Sequence, residues 1–272
     1  MRVSMFSAVG AMMVAGVASG QVLPTLPHTF FNFIPFGMGT PGGVATMHQV
    51  FDASLFTGVN SGGPVEISHI AFAPSASPGT TYDLGQVTIG MGYTNAMPGV
   101  AAGSGGLEIP VEGPSGAPNV AGALTTFYDQ PLTYTIVLGG TEEFEMEFAG
   151  TPFIYDPSQG NLLVSIVVGN EAATTLTVSR ANGSTESSRA YSGGRFTPTA
   201  NTGQASRINF TMAPASSCYA DCDGNGTLNI FDYICFGNAY ANNEPYANCD
   251  GNTTFSIFDY ICFGNAYAAG CP

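Results

Sequence analysis

The chain is expected to be mainly β: an antiparallel, jelly-roll-like β-sandwich followed by a small helical domain built from two loop–helix repeats. Three observations predict this. Gly and Pro, 36 and 18 of the 272 residues, punctuate many short apolar stretches with a period of two. All six Cys lie between Cys218 and Cys271, so a cysteine-free body meets a cysteine-dense tail. The tail, finally, repeats itself at a constant offset of 27 residues.

At the N-terminus, Met1-Arg2 carries one positive charge, residues 3–18 are apolar and small, and Ala18-Ser19-Gly20-Gln21 offers a small-x-small cleavage site. That order is the signature of a secretory signal peptide over residues 1–20, with a cut after Ala18 as the alternative. A membrane anchor is the competing reading, but the run is shorter than the ~20 apolar residues a spanning helix needs. The mature chain is therefore expected to be secreted, extracellular or at the cell surface. Five Arg, no Lys and 19 Asp and Glu leave a formal charge of −14. A field of that sign argues against nucleic acid and anionic membranes as partners, and is compatible with divalent cations.

Residues 21–212 read as the sandwich and residues 213–217 as a linker stiffened by Pro214. Segments 66–72, 86–93, 132–138, 162–168, 175–178 and 207–212 carry β-type patterns, with Gly/Pro/Ser-rich connectors at 98–106 and 112–120. The strictest alternation is Glu143-Phe144-Glu145-Met146-Glu147-Phe148, which predicts a strand with three carboxylates on one solvated face. Residues 24–36 are expected as an edge strand or a cover, and 155–161 as a turn rather than a cation-binding loop.

Catalytic signals are few. The body has no G-x-S-x-G, no H-E-x-x-H and no Cys, and His28, His48 and His69 are scattered and read as structural or surface residues. Two carboxylates suffice for a glycosidase and the body has 13, so glycoside hydrolysis is the enzyme class left open. The lack of Trp counts against it, while 12 Tyr keep carbohydrate binding possible. The expectation leans away from an enzyme. The stretches HQVFDASLF at 48–56, GPVEISHIAF at 63–72 and PFIYDPSQGNLLVSI at 152–166 resemble a β-sandwich domain of bacterial exported proteins. That resemblance implies a fold and a location, and no assigned chemistry.

In the tail, 19 of 23 positions are identical between 219–241 and 246–268, and IFDYICFGNAYA occurs twice. Each copy carries the twelve-residue calcium-loop pattern, with oxygen ligands at positions 1, 3, 5, 7, 9 and 12. The first set is Asp221, Asp223, Asn225, the Thr227 carbonyl, Asn229 and Asp232, with Gly226 at the sharp turn. The second is Asn248, Asp250, Asn252, the Thr254 carbonyl, Ser256 and Asp259, with Thr253 where the glycine would stand. Up to two Ca²⁺ are expected, the first bound more tightly because its loop has three carboxylates against two. After position 8 the pattern turns helical, and Ile230, Phe231, Tyr233, Ile234 and Phe236 suit a helix packed on its twin.

This tail resembles a dockerin, specifically the GC-type modules at the C-termini of bacterial exported proteins: Cys218 opens it, Gly270-Cys271-Pro272 ends it, and position 12 is Asp. The resemblance implies a dockerin domain over 218–272, a calcium-dependent interaction with a cohesin-like or other envelope partner, and a docking role for loop positions 10 and 11. Those positions are Ile230-Phe231 and Ile257-Phe258. A core role for the same side chains competes with docking. An even number of Cys in an exported module reads as a disulfide framework. Cys218 and Cys271 could clasp its ends, and Cys222–Cys235 and Cys249–Cys262 could tie each loop to its helix. Fifteen connectivities are possible. Zinc is disfavoured by the absence of any C-x-x-C pair. The function so implied is a surface-anchored or assembled protein; the alternative is a dockerin-borne polysaccharide-degrading or carbohydrate-binding one.

Overall fold

The computed structural model describes residues 19–23, 33–36, 43–60, 62–139, 143–169, 176–193, 197–215, 218–223, 227–252 and 254–270. The chain forms two compact units, Met1–Pro214 and Ala215–Pro272. Among the described residues no helix is long and apolar enough to cross a membrane.

Among its described residues the first unit is strand and turn, with short 3-10 helices at Ala53–Phe56 and Pro157–Gln159. Its strands are β1 (Ser19–Leu23), β2 (Phe33–Pro35), β3 (Val44–Phe51), β4 (Val65–Phe72), β5 (Thr81–Thr94), β6 (Ala121–Thr135), β7 (Met146–Tyr155), β8 (Asn161–Gly169), β9 (Thr177–Asn182), β10 (Ser187–Gly193), β11 (Thr199–Asn201), β12 (Gln204–Ser206) and β13 (Ile208–Pro214). They form three antiparallel sheets, ordered β1-β13-β4-β7, β11-β10-β3-β8-β5-β6 and β12-β9-β2. One apolar core joins the two larger sheets. Phe51 of β3 meets Phe210 of β13 edge-on at 5.2 Å, and Tyr128 of β6 meets Phe148 of β7 at 5.0 Å.

Pattern and register explain this burial. In β4 the core side chains are Val65 and Ile67, then Ile70 and Phe72; a register shift between Ile67 and His69 inserts Ser68 and flips the alternation. Strand β8 is buried on both faces, so its sequence is nearly continuous Leu, Val and Ile. Its second face is covered by residues 95–120, which fold back over the six-stranded sheet and bury Leu107 against Val50, Leu163 and Ala190. Gly106 permits that fold, since a Cβ there would lie 1.9 Å from the Val100 carbonyl oxygen. Pro131 sits in β6, an edge strand, where a missing N–H is tolerated.

Three expectations about this unit change. The strand predicted over 132–138 stops at Thr135, and the one containing Glu143, Glu145 and Glu147 begins only at Met146. Glu145 turns inward to accept the backbone N–H groups of Val137, Leu138 and Gly139 at 2.9, 2.8 and 2.7 Å, so the row of three carboxylates does not form. Strand β13 continues through Ala213 and Pro214, which pair with Glu66 and Val65, so these residues belong to the sheet rather than to a linker. Of residues 24–36, the described part is β2, at the edge of the three-stranded sheet, followed by buried Phe36.

The second unit holds two helices, α1 (Ile230–Ala241) and α2 (Ile257–Ala269), joined through a short 3-10 turn at Pro245–Ala247. Its core is Phe236, Ala239, Ala247 and Phe263, with the two Phe rings stacked at 4.2 Å. Contacts are reciprocal: Tyr233 meets Phe263 and Tyr260 meets Phe236, each at 5.1 Å. Likewise the Tyr219 hydroxyl donates to the Tyr246 carbonyl and the Tyr246 hydroxyl to that of Tyr219. Disulfides join Cys222 to Cys235 and Cys249 to Cys262, with Cα separations of 5.7 and 5.8 Å. Cys218 is also disulfide-bonded, and Cys271 lies outside the described residues.

Candidate functional site

The site is built on the N-termini of the two helices. Asn229 and Ser256 cap them, accepting from Phe231 N at 2.8 Å and Phe258 N at 3.2 Å. Three residues on, Asp232 and Asp259 return the bond, accepting from Asn229 N at 2.8 Å and Ser256 N at 2.7 Å. Each pair is a capping box, a spacing legible in N-x-x-D and S-x-x-D but masked by the calcium-loop reading of the same residues. Asp232 and Asp259 are both fully buried, and each also accepts a long bond from loop position 3, Asp223 N or Asp250 N, at 3.4 Å. Loop and helix are thereby fixed to one carboxylate. The Ser256 N–H is the main influence holding the Asp259 carboxyl below its ordinary range; burial opposes it, and further N–H donors from the loop add to it.

In the first loop, one carboxylate oxygen from each of Asp221, Asp223 and Asp232 lies within 4.8 Å of the other two. No other group of three or more acidic, His or Cys side chains converges so among the described residues. Thr227 and Asn229 are tied to each other, Asn229 Nδ2 donating to the Thr227 carbonyl at 2.9 Å. Asn229 Oδ1 accepts the cap bond and keeps a second lone pair, with which this residue can reach a cation directly or through water, as position 9 of such loops does. Asn225 and Gly226 lie outside the described residues, as does Thr253.

The second loop is held by its own side chains. Asp250 accepts from Asn252 N at 3.1 Å and from Asn252 Nδ2 at 2.6 Å, and Asn252 Oδ1 accepts from Thr254 N at 2.8 Å. Its polar groups are thus partly satisfied by one another. Asn248 Oδ1, at position 1, is buried with no hydrogen-bond partner.

Beside the loops, the four side chains at positions 10 and 11 are exposed. Ile230, Phe231, Ile257 and Phe258 are 62–65% exposed. Ile234 and Ile261, one turn further along, are also exposed, so of the five side chains expected to pack α1 on its twin only Phe236 and Tyr233 do so.

Among its described residues the body supplies no comparable convergence. His48 is buried on β3, with Nδ1 2.9 Å from Asn119 Nδ2. Asn119 is oriented by the Glu108 backbone, accepting its N–H and donating to its carbonyl, both at 2.8 Å. His48 Nδ1 must therefore accept, which leaves the proton on Nε2, and Nε2 has no partner. Such an imidazole cannot take a proton from Ser165, its neighbour on β8, through that nitrogen. Burial pushes the His48 pKa down to about 4. Hydrogen bonds from Thr88 and then Gln86 hold Asp129 below the usual carboxylate range. Partial desolvation raises Glu145, but its three backbone N–H donors hold it low. Such carboxylates accept hydrogen bonds at neutral pH and do not protonate a leaving group.

Compared with protein-family profiles, with curated proteins and with solved structures, the chain returned no match, so its residues and their geometry carry the functional reading.

Proposed function

We propose that the tail is a duplicated calcium module of the dockerin type, carrying a jelly-roll-like β-sandwich on a secreted protein. With calcium bound it docks that sandwich onto a cohesin-like or other envelope partner. The observation that carries this reading is the convergence of Asp221, Asp223 and Asp232 at a helix N-terminus. Three carboxylates within one coordination radius repel one another unless a cation shares them, and an all-oxygen donor set suits Ca²⁺. In the second loop, the stranded Asn248 Oδ1 is a ligand atom that a cation would satisfy. The exposed Ile and Phe at positions 10 and 11 favour docking over a cap that calcium merely stabilises, because a cap gains nothing from displaying large apolar groups.

Calorimetry on the full chain tests the metal. One strong and one weaker calcium site are expected, and no heat of binding would end the proposal. Docking is tested by capture from envelope fractions with calcium or chelator, comparing the native chain with one carrying Phe231→Asp and Phe258→Asp. Calcium-dependent capture that the double substitution abolishes is expected.

For the alternative, a carbohydrate-directed body, one observation counts. An open polar groove between β6 and β7 is lined by Thr126, Tyr128, Asp129, Gln130 and Thr151, with Asp129 oriented by Gln86 and Thr88 at 2.7 Å each. A glycan array and a hydrolysis screen separate binding from turnover there.

A further inference from the structure

We propose that the β9–β10–β12 end of the body binds an oxyanion, a carboxylate or sulfate group held between Arg189 and Arg180. Arg189 projects from β10 and is only 3% exposed. Its contacts are weak ones for a guanidinium: Nη1 lies 3.9 Å from Met47 Sδ, and the group stands over the Tyr191 ring at 5.1 Å. Arg180, on β9, is its electrostatic neighbour, and bonds Gln204 Oε1 through Nη1 at 3.0 Å. In both residues Nε is buried with no hydrogen-bond partner. Among the described residues no carboxylate acts on either guanidinium.

Register brings the two together. Arg189 lies opposite Gln49 of β3, and Arg180 opposite Ser206 of β12. The Gln49 side chain joins those positions, donating to the Ser206 carbonyl and accepting from Ser206 N, both at 2.8 Å. Two like charges thus flank one buried polar link in a chain with 19 acidic residues and five basic ones. Desolvation lowers the pKa of Arg189 to about 10, which still leaves it charged at neutral pH. A buried cation of this kind is strongly unfavourable without a counter-charge. The two oxygens of an oxyanion can each take one of these N–H donors along its own line, a match to guanidinium geometry that a spherical halide lacks. Arg180 is only partly buried and marks the side from which the anion enters.

The test uses the full chain labelled with ¹⁵N-arginine. With five Arg and no Lys, its guanidinium Nε–H spectrum is simple. Titration with sodium acetate and, separately, sodium sulfate, against sodium chloride at matched ionic strength, is expected to shift two of these resonances saturably. Arg189→Met is expected to remove one and abolish the response of the other. Arg180→Gln, at the more open position, serves if the first variant does not fold. Saturation by acetate alone assigns a carboxylate, and by sulfate alone a sulfate group. A response to neither that exceeds chloride, or one that survives both substitutions, overturns the proposal.

Discussion

The two tail repeats carry one helix sequence and two different loops. IFDYICFGNAYA is the same in both, and the environments follow: Phe236 and Phe263 are fully buried, and the exposures of Ile230 and Ile257 agree to 1%. Loop differences are confined to four positions, Asp221/Asn248, Gly226/Thr253, Leu228/Phe255 and Asn229/Ser256. Three of these bear on ligand charge, backbone turn or cap. Packing thus holds the helices alike while the loop sequences diverge, and the unequal affinities proposed for the two loops rest on that divergence.

Five predictions break or sharpen that comparison. The largest effect belongs to what the repeats share. Phe236→Ala and Phe263→Ala should each cost about 4 kcal/mol, equally, by denaturant unfolding of the calcium-free chain. Unequal losses would show that the repeats differ in more than their loops. Next comes a control from the body. His48 is neutral when folded, with a pKa of about 4, and titrates near 6.5 when unfolded. Its contribution is complete above pH 6.5 and is lost as pH falls towards 4, a loss of about 3 kcal/mol. His48→Asn should flatten that part of the body's stability–pH curve, measured with chelator present.

The loops themselves follow. Asp232→Ala should weaken the first calcium site by about two orders of magnitude, and Asp259→Ala should act only on the weaker site. Calorimetry in which either change removes both sites would refute independent loops. Asn248→Asp, which restores the third carboxylate, should tighten the second site about tenfold and narrow the gap. The smallest effect is at the caps, where Asn229→Ala and Ser256→Ala should each lower stability by about 1 kcal/mol without calcium.

Much of this was legible beforehand, for physical reasons that differ between regions. Strands β4, β8 and β13 declare themselves by apolar side chains facing the core, and the repeat by its near-identity. Strand β10 was missed because Ser187, Ser188, Arg189 and Ser192 are buried although polar, so it has no apolar signature. The row of Glu143, Glu145 and Glu147 misled because alternation cannot reveal that one carboxylate will cap a turn. At the candidate site, spacing singled out Asp221, Asp223 and Asp232, whose carboxylates converge, but the double duty of Asp232 and Asp259 as loop anchor and capping box emerged only with the backbone.

The pairing of β1 with β13 has a kinetic consequence. Gln21 lies opposite Phe210, 189 residues later, so this ladder closes only when nearly all of the first unit is available. The ring contacts that pair the repeats span no more than the 44 residues between Tyr219 and Phe263. Contacts so distant in sequence form slowly. The tail should therefore mature early and locally, while the sheet that pairs β1 with β13 is among the last to be completed.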